Sequence, residues 1–436
     1  MNIKLLKQKD FSLLIMGKLV SLVGTNMQNF ALSLYVLKIT GSATKFASVL
    51  AVTLIPELIL GPVAGVFADW FDRKKIIVYL DMLSGIIVGI FAVIFKINGG
   101  LSLGYIYILV ILLSMASLLL QPAVNTVIPS IIKKDELVDA NSIVTVIMRL
   151  GNLLAPAIAG VLFGFYGLLV ILIVNSISFI VSSISEMFIN IPKSNKKPEK
   201  INVKAFFGDF SEGISFIKNK EIMLSIMILC LLINLAADAT FSVGLTYVCK
   251  EIFKITDYQY GFFESILVVP MIMSPFICSM VSKKIKLGKQ LFLGYIIASI
   301  LIGIIAVIAS PFYTNLFTGN FIPYISLIII TSLCILISGV ANIAMFTIIQ
   351  KETPLSLMGR VMTVMTTGGM ATIPLGKMIF GLLLDNIEAW MCIGLSAVLL
   401  FMVIIILRKK LSFDEKCDDD EEKLETLQDI DLSHES

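Results

Sequence analysis

Apolar runs of 20 to 28 residues follow one another along the chain, separated by short polar breaks and without period-two alternation inside them. A helix of about 20 residues crosses a hydrocarbon layer of about 30 Å. The pattern predicts twelve spans, at 11–37, 43–67, 76–97, 102–129, 138–164, 167–190, 221–248, 258–281, 289–310, 323–349, 357–384 and 389–408. Helices satisfy their own backbone groups in lipid, and the missing alternation excludes a β-barrel. The expected class is therefore an all-α membrane protein with twelve transmembrane helices.

Composition agrees. The 436 residues are 57% hydrophobic and 15% charged, with mean hydropathy +0.95, whereas soluble chains carry about 25% charged residues. The start, MNIKLLKQKDF, has the basic character of a signal peptide, but no small-residue cleavage site follows, so a retained first helix is expected. With the N-terminus inside, 26 of the 34 Lys and Arg fall on the cytoplasmic side, five outside and three within spans. Both termini are thus expected in the cytoplasm of a multi-pass plasma-membrane protein.

The longest internal polar stretch divides the chain. A six-helix bundle is expected over 1–190, a cytoplasmic linker over 191–220, a second six-helix bundle over 221–410, and an acidic disordered tail over 411–436. Within the linker, Phe206, Phe207, Phe210, Ile214 and Ile217 recur at helical spacing, predicting an interfacial helix on the inner leaflet.

The halves resemble each other. TVIMRLGNLLAP (145–156) matches TVMTTGGMATIP (363–374), NTVIPSIIKKDE (125–136) matches NIAMFTIIQKET (342–353), and YVLK (35–38) matches YVCK (247–250), all at nearly one shift. An even number of spans in each half makes them parallel pseudo-repeats, a transporter plan with the substrate site near the midplane.

Between spans 2 and 3 the chain reads GPVAGVFADWFDRKKIIVYLD (61–81). Gly65, Asp69, Arg73 and Lys74 resemble the signature loop of the major facilitator superfamily, with Trp70 and Asp72 departing from it. The resemblance implies a conformational latch. Gly65 permits close helix approach, while Asp69 pairs with Arg73 and caps the N-terminus of span 11, near Leu357–Gly359. The loop after span 8 has Ser282 where the acid would stand, so the latch is expected on one side only.

In span 5, Gly151, Ala155, Pro156 and Gly160 resemble the antiporter motif of the same superfamily, with Ala155 in a glycine position. The stretches FSLLIMGKLVSLVGTN (11–26), ITGSATKFASVL (39–50), DELVDANS (135–142) and DFSEGISFI (209–217) resemble its macrolide and siderophore exporter branch. Asn26 stands where that branch often has aspartate.

Ionisable groups inside spans cost about 2.5–3.5 kcal/mol each at the centre, so each asks for a reason. Asp238 is the first candidate for a proton or cationic-substrate site, and Glu57 the second. Arg149 and Glu264 lie at estimated depths of about 18 and 25 Å, and the family architecture implies that spans 5 and 8 face each other, making them a candidate pair. Asn26, Asn29, Gln121 and Asn125 are expected to line the cavity. Lys18, Asp81, Glu186 and Asp385 lie nearer span ends and read as structural.

Cys230, Cys249, Cys278, Cys334, Cys392 and Cys417 show no pairing or metal spacing, and the single histidine, His434, is in the tail. No metal or cofactor is expected, and no nucleophile-base set suggests an enzyme. The reading is a monomeric secondary efflux transporter of lipophilic or amphipathic compounds, working by alternating access with proton antiport. Export of a siderophore, peptide or lysolipid, or a non-transporting receptor, remain the alternatives. The partners are the lipid bilayer, a small-molecule substrate and protons, with no nucleic acid.

Overall fold

The computed structural model describes residues 3–60, 72–133, 136–190, 203–354 and 357–411. Ten helices among them are long and apolar enough to cross a membrane. One, Leu137–Met187, contains non-helical backbone at Gly167, with φ 73° and ψ −171°, and is two helices joined there. Adding Lys9–Thr40, rich in polar residues over 25–29, gives twelve among the described residues.

These are α1 (Lys9–Thr40), α2 (Ala43–Leu60), α3 (Arg73–Asn98), α4 (Leu103–Ile131), α5 (137–166), α6 (168–187), α7 (Glu221–Ile252), α8 (Asp257–Val281), α9 (Leu287–Ala309), α10 (Phe321–Glu352), α11 (Met358–Asn386) and α12 (Ala389–Leu411). The end that the charge pattern assigns to the outside is called the outer end below. At the α1–α2 turn there, Gly41 has φ 60°, a backbone conformation open to glycine at little cost. Ser42 then caps α2 by accepting from the Lys45 amide.

The chain divides into two compact units, the first comprising Met1–Asn202, Phe241–Val269 and Ile373–Glu388. Its tightest packing is along α6. Gly17 and Gly24 of α1 leave room for Ser182, Ser185, Asn175 and Ser178 of α6, and Gly85 of α3 abuts Ser176 and Phe179. Hydroxyls cross these seams to backbone carbonyls: Ser176 donates to Gly85 O at 2.7 Å, Ser183 to Val78 O at 2.9 Å and Ser185 to Leu13 O at 3.1 Å. Lipid tails are as apolar as leucine, so small residues and such bonds hold helices together where burial alone cannot. Near the cytoplasmic end, Phe11, Leu14, Ile77, Ala123, Val127 and Ile143 close the core.

The second unit comprises Val203–Thr240, Pro270–Thr372 and Ala389–Ser436. Its linker helix, Val203–Asn219, is amphipathic as expected. The C-terminal part of its apolar face packs on protein: Ile217 is buried, and Phe210, Ile214 and Phe216 lie against Met223, Ile226, Val361 and their neighbours. Glu212 of this helix pairs with Arg360 at 2.5 Å, and Gly213 abuts the Arg360 carbonyl, fixing the linker to the first turn of α11.

A side chain forced into the α1–α6 seam must push helices apart. Gly24→Val should cost about 1–3 kcal/mol and lower the unfolding temperature of the detergent-solubilised protein. Gly104→Ala, where the nearest neighbour of an added methyl is 4.0 Å away, should leave it unchanged.

Candidate functional site

Within the first unit, α5 carries two seams. Gly151 lies against Leu19 and Leu22 of α1, and beside it Asn152 accepts a 2.8 Å hydrogen bond from Asn26. One turn further out, Pro156 and Gly160 meet α8. A Cβ on Gly160 would fall 3.1 Å from the Gly261 Cα, and one on Gly261 would strike the Pro156 carbonyl. The antiporter-like residues are thus divided between an α1 contact and an α8 contact. Gly261, unremarked in sequence, is the residue that lets Gly160 work.

Just inside that crossing lies a polar chain. The Tyr260 hydroxyl donates to Glu264 Oε1 at 2.7 Å and shares a 2.6 Å hydrogen bond with Thr246, which donates to the Ser242 carbonyl at 2.8 Å. Phe30 of α1 stacks on the Tyr260 ring with centroids 5.2 Å apart. Glu264 therefore engages Tyr260, one helical turn away on its own helix, and not Arg149, which is exposed on α5. The expected Arg149–Glu264 pair is not formed. Tyr260 stands at i−4 from Glu264, a spacing that places both on one helix face, and that was the signal available in the sequence.

Asp238 lies on α7, half-buried, two residues before a π-helical stretch at Thr240–Gly244. Such wider turns recur at functional positions because they reorient side chains without ending the helix. Glu57 on α2, Asn29 on α1 and Gln121 on α4 are exposed, and the backbone of Asn125 continues α4. Of the latch residues, Gly65 and Asp69 lie outside the described residues, while Arg73 and Lys74 open α3. Asp72, which departs from the signature, is its N-cap, accepting from the amides of Lys74 at 3.0 Å and Lys75 at 3.4 Å. The acid that breaks the motif thus starts the helix. Among the described residues, no group of acidic, Cys or His side chains could hold a metal ion, and the five described cysteines are free.

A further set of bonds, not anticipated from the sequence, joins α11 to α2 at the outer end. Asp385, in the last turn of α11, accepts from Ser42 Oγ at 2.9 Å, the Ala43 amide at 2.8 Å and the Thr44 amide at 3.2 Å. It sits on the positive N-terminus of α2, where a carboxylate is favoured. Gly381, one turn earlier, brings α11 onto Ala43 and Ala47. The expected cytoplasmic latch rests on an acid at a helix N-terminus, and here an acid from the second half does that work at the outer end. The signal was the cap sequence Gly41-Ser42-Ala43-Thr44, whose free amides can donate to an outside carboxylate.

Twelve helices in this order, in two halves of six and with acidic groups inside the spans, are the plan of a membrane transporter. A sequence profile of the Major Facilitator Superfamily matches residues 14–377, and the chain belongs to that family. It is 24% identical over 415 residues to the uncharacterized MFS-type transporter YkuC of Bacillus subtilis, covering 91% of each chain. It is 22% identical over 215 residues to macrolide efflux protein A of Streptococcus pyogenes, covering 49% of this chain and 52% of that one. The chain thus matches about half the length of that relative. In structure it is similar to a bacterial homologue of the iron transporter ferroportin in an inward-facing state (TM-score 0.71, 15% identity, 92% of this chain and 98% of that one). It is also similar to the nucleoside transporter NupG (TM-score 0.69, 15% identity, 95% and 100%). Structural likeness at that identity extends to the fold alone.

Charge-assisted hydrogen bonds contribute about 1.5–3 kcal/mol each, and 1.4 kcal/mol is about tenfold in a population. Asp385→Ala should therefore raise the open fraction of the outer end at least about tenfold. The measurement is the labelling rate by an impermeant maleimide at position 47 of an Ala47→Cys protein; an unchanged rate refutes the clasp.

Proposed function

We propose that this chain is a secondary active exporter of lipophilic or amphipathic compounds, working by alternating access and proton antiport. The observation that carries the reading is a hydrogen count. Glu264–Tyr260, Tyr260–Thr246 and Thr246–Ser242 are three links, while the two hydroxyls bring two hydrogens. A proton on Glu264 completes the chain by reversing the first link: Tyr260, the donor to an ionised Glu264, becomes the acceptor from the protonated acid and the donor to Thr246. Glu264 thus takes the proton in this state and gives it up when the α5–α8 crossing around Gly160 and Gly261 opens. Proton loss and outer opening are then one event, as antiport requires.

Asp238 and Glu57 are the acids for a cationic group of the substrate, with Asn26, Asn29, Gln121, Asn125 and Arg149 as cavity-facing polar groups. Asp69, Gly65, Arg73 and Lys74 form the inner latch that alternates with the Asp385 clasp. The protein works as a monomer in the cell membrane with both termini in the cytoplasm, its halves spanning 1–190 and 221–410. The export direction is supported by the α5 motif and by the partial likeness to macrolide efflux protein A.

The test is internal pH in proteoliposomes as lipophilic cations, macrolides and siderophores are added. The wild type should move protons with at least one class. Glu264→Gln, whose amide can still donate to Tyr260, should bind the same compound and move none. Asp238→Asn should lose cationic compounds and keep neutral ones. Proton movement undiminished in Glu264→Gln rules out its role, and a folded wild type that moves no substrate of any class rules out the exporter.

A further inference from the structure

Three of the four intramembrane ions that looked structural in sequence meet inside the first unit. Lys18 of α1 is 7% exposed, Asp81 of α3 0% and Glu186 of α6 2%. Asp81 and Glu186 are side-chain neighbours, and Lys18 is the positive charge acting on both. The Ser182 hydroxyl donates to Glu186 Oε1 at 3.4 Å. Neither Asp81 oxygen, nor Glu186 Oε2, has a hydrogen-bond partner among the described residues. α4, which also packs on α3, carries no acidic or basic residue, and its only titratable groups, Tyr105 and Tyr107, stand at its outer end.

The stoichiometry is wrong for an ion pair. Two carboxylates against one ammonium leave one uncompensated negative charge, sealed from water and held against the Ser-rich seams of α6. Burying an uncompensated charge is far more costly than protonating it. Between the two facing carboxyls themselves no hydrogen is available when both are ionised, since both then only accept. One hydrogen between them removes the net charge and supplies that donor in a single step.

We propose that Asp81 and Glu186 form a binding site for one proton, shared between the two carboxyls and balanced by Lys18. The site is separate from Glu264, and it stands whether or not the exporter reading does. Its location on three helices of one bundle makes the proton a bond between α3 and α6. Its release therefore requires these helices, or α1 with Lys18, to shift and admit water.

The experiment is infrared spectroscopy of the purified full-length protein in lipid vesicles at neutral pH, without substrate. It reads the protonated-carboxyl stretch as a difference from wild type. Asp81→Asn and Glu186→Gln should each lose one protonated carboxyl, because Lys18 then faces a single carboxylate and no proton is needed. Lys18→Met should gain one, because without the ammonium both acids must be neutral. Glu264→Gln should lose its own band and leave the pair's band in place, so the two sites fail independently.

No loss in either acid variant overturns the shared proton. No gain in Lys18→Met, in a protein that still folds, overturns the charge balance; if that variant does not fold, the two isosteric variants decide alone. A wild-type protonated band abolished by sodium at fixed pH identifies a metal-cation site and overturns the proton assignment.

Discussion

The close approach of backbones along α1, α3 and α6 is the constraint on which the first unit depends. In lipid, a helix gains little by covering leucine with leucine. Gly17, Gly24 and Gly85 remove the side chains that would hold the axes apart, and Ser176, Ser183 and Ser185 bridge to carbonyls of the neighbouring helices. That seam fixes the rotation of each helix. Rotation in turn decides that Lys18, Asp81 and Glu186 point at one another and away from lipid.

The same device recurs, more sparingly, at the other end of the helices. At the outer end, Gly160 against Gly261 and Gly381 against Ala47 bring helices of the second half onto α5 and α2. Polar bonds lie beside both contacts: Asp385 on the α2 N-terminus, and the Glu264–Tyr260–Thr246 chain beneath the α5–α8 crossing. Glycine seams allow the approach, and the charged and polar groups beside them are the bonds that must rearrange if these helices part.

Much of the site was legible in the chain. The signature around Arg73, the small residues of α5 and the aligned halves led to the superfamily before any coordinates. Asp238 and Glu264 stood out as charges within apolar runs. Other features were not legible, for identifiable reasons. Asp385 reads as a structural helix-end residue, as it is, but its partners on α2, one hydroxyl and two backbone amides, lie 341 to 343 residues away and are not indicated by residue type. Arg149 looked like a partner for Glu264 because opposite charges on facing helices invite pairing, whereas the nearest polar group to Glu264 is a tyrosine on its own helix. For the linker helix the sequence shows an apolar face, and the fold shows that its Phe210, Ile214 and Ile217 pack on protein.

The sequence by itself determined the number and order of the spanning helices, their helical nature, the family, and the side on which positive charge accumulates. Each of these follows from properties summed along one segment, length, hydropathy and charge, that do not depend on any other segment. Only the tertiary structure decided which acids meet. Lys18, Asp81 and Glu186 lie on three helices far apart in the chain, and their encounter depends on the depth and rotation of each. Those are set by where glycine and serine let neighbouring backbones touch, a property of pairs of helices that no single helix encodes.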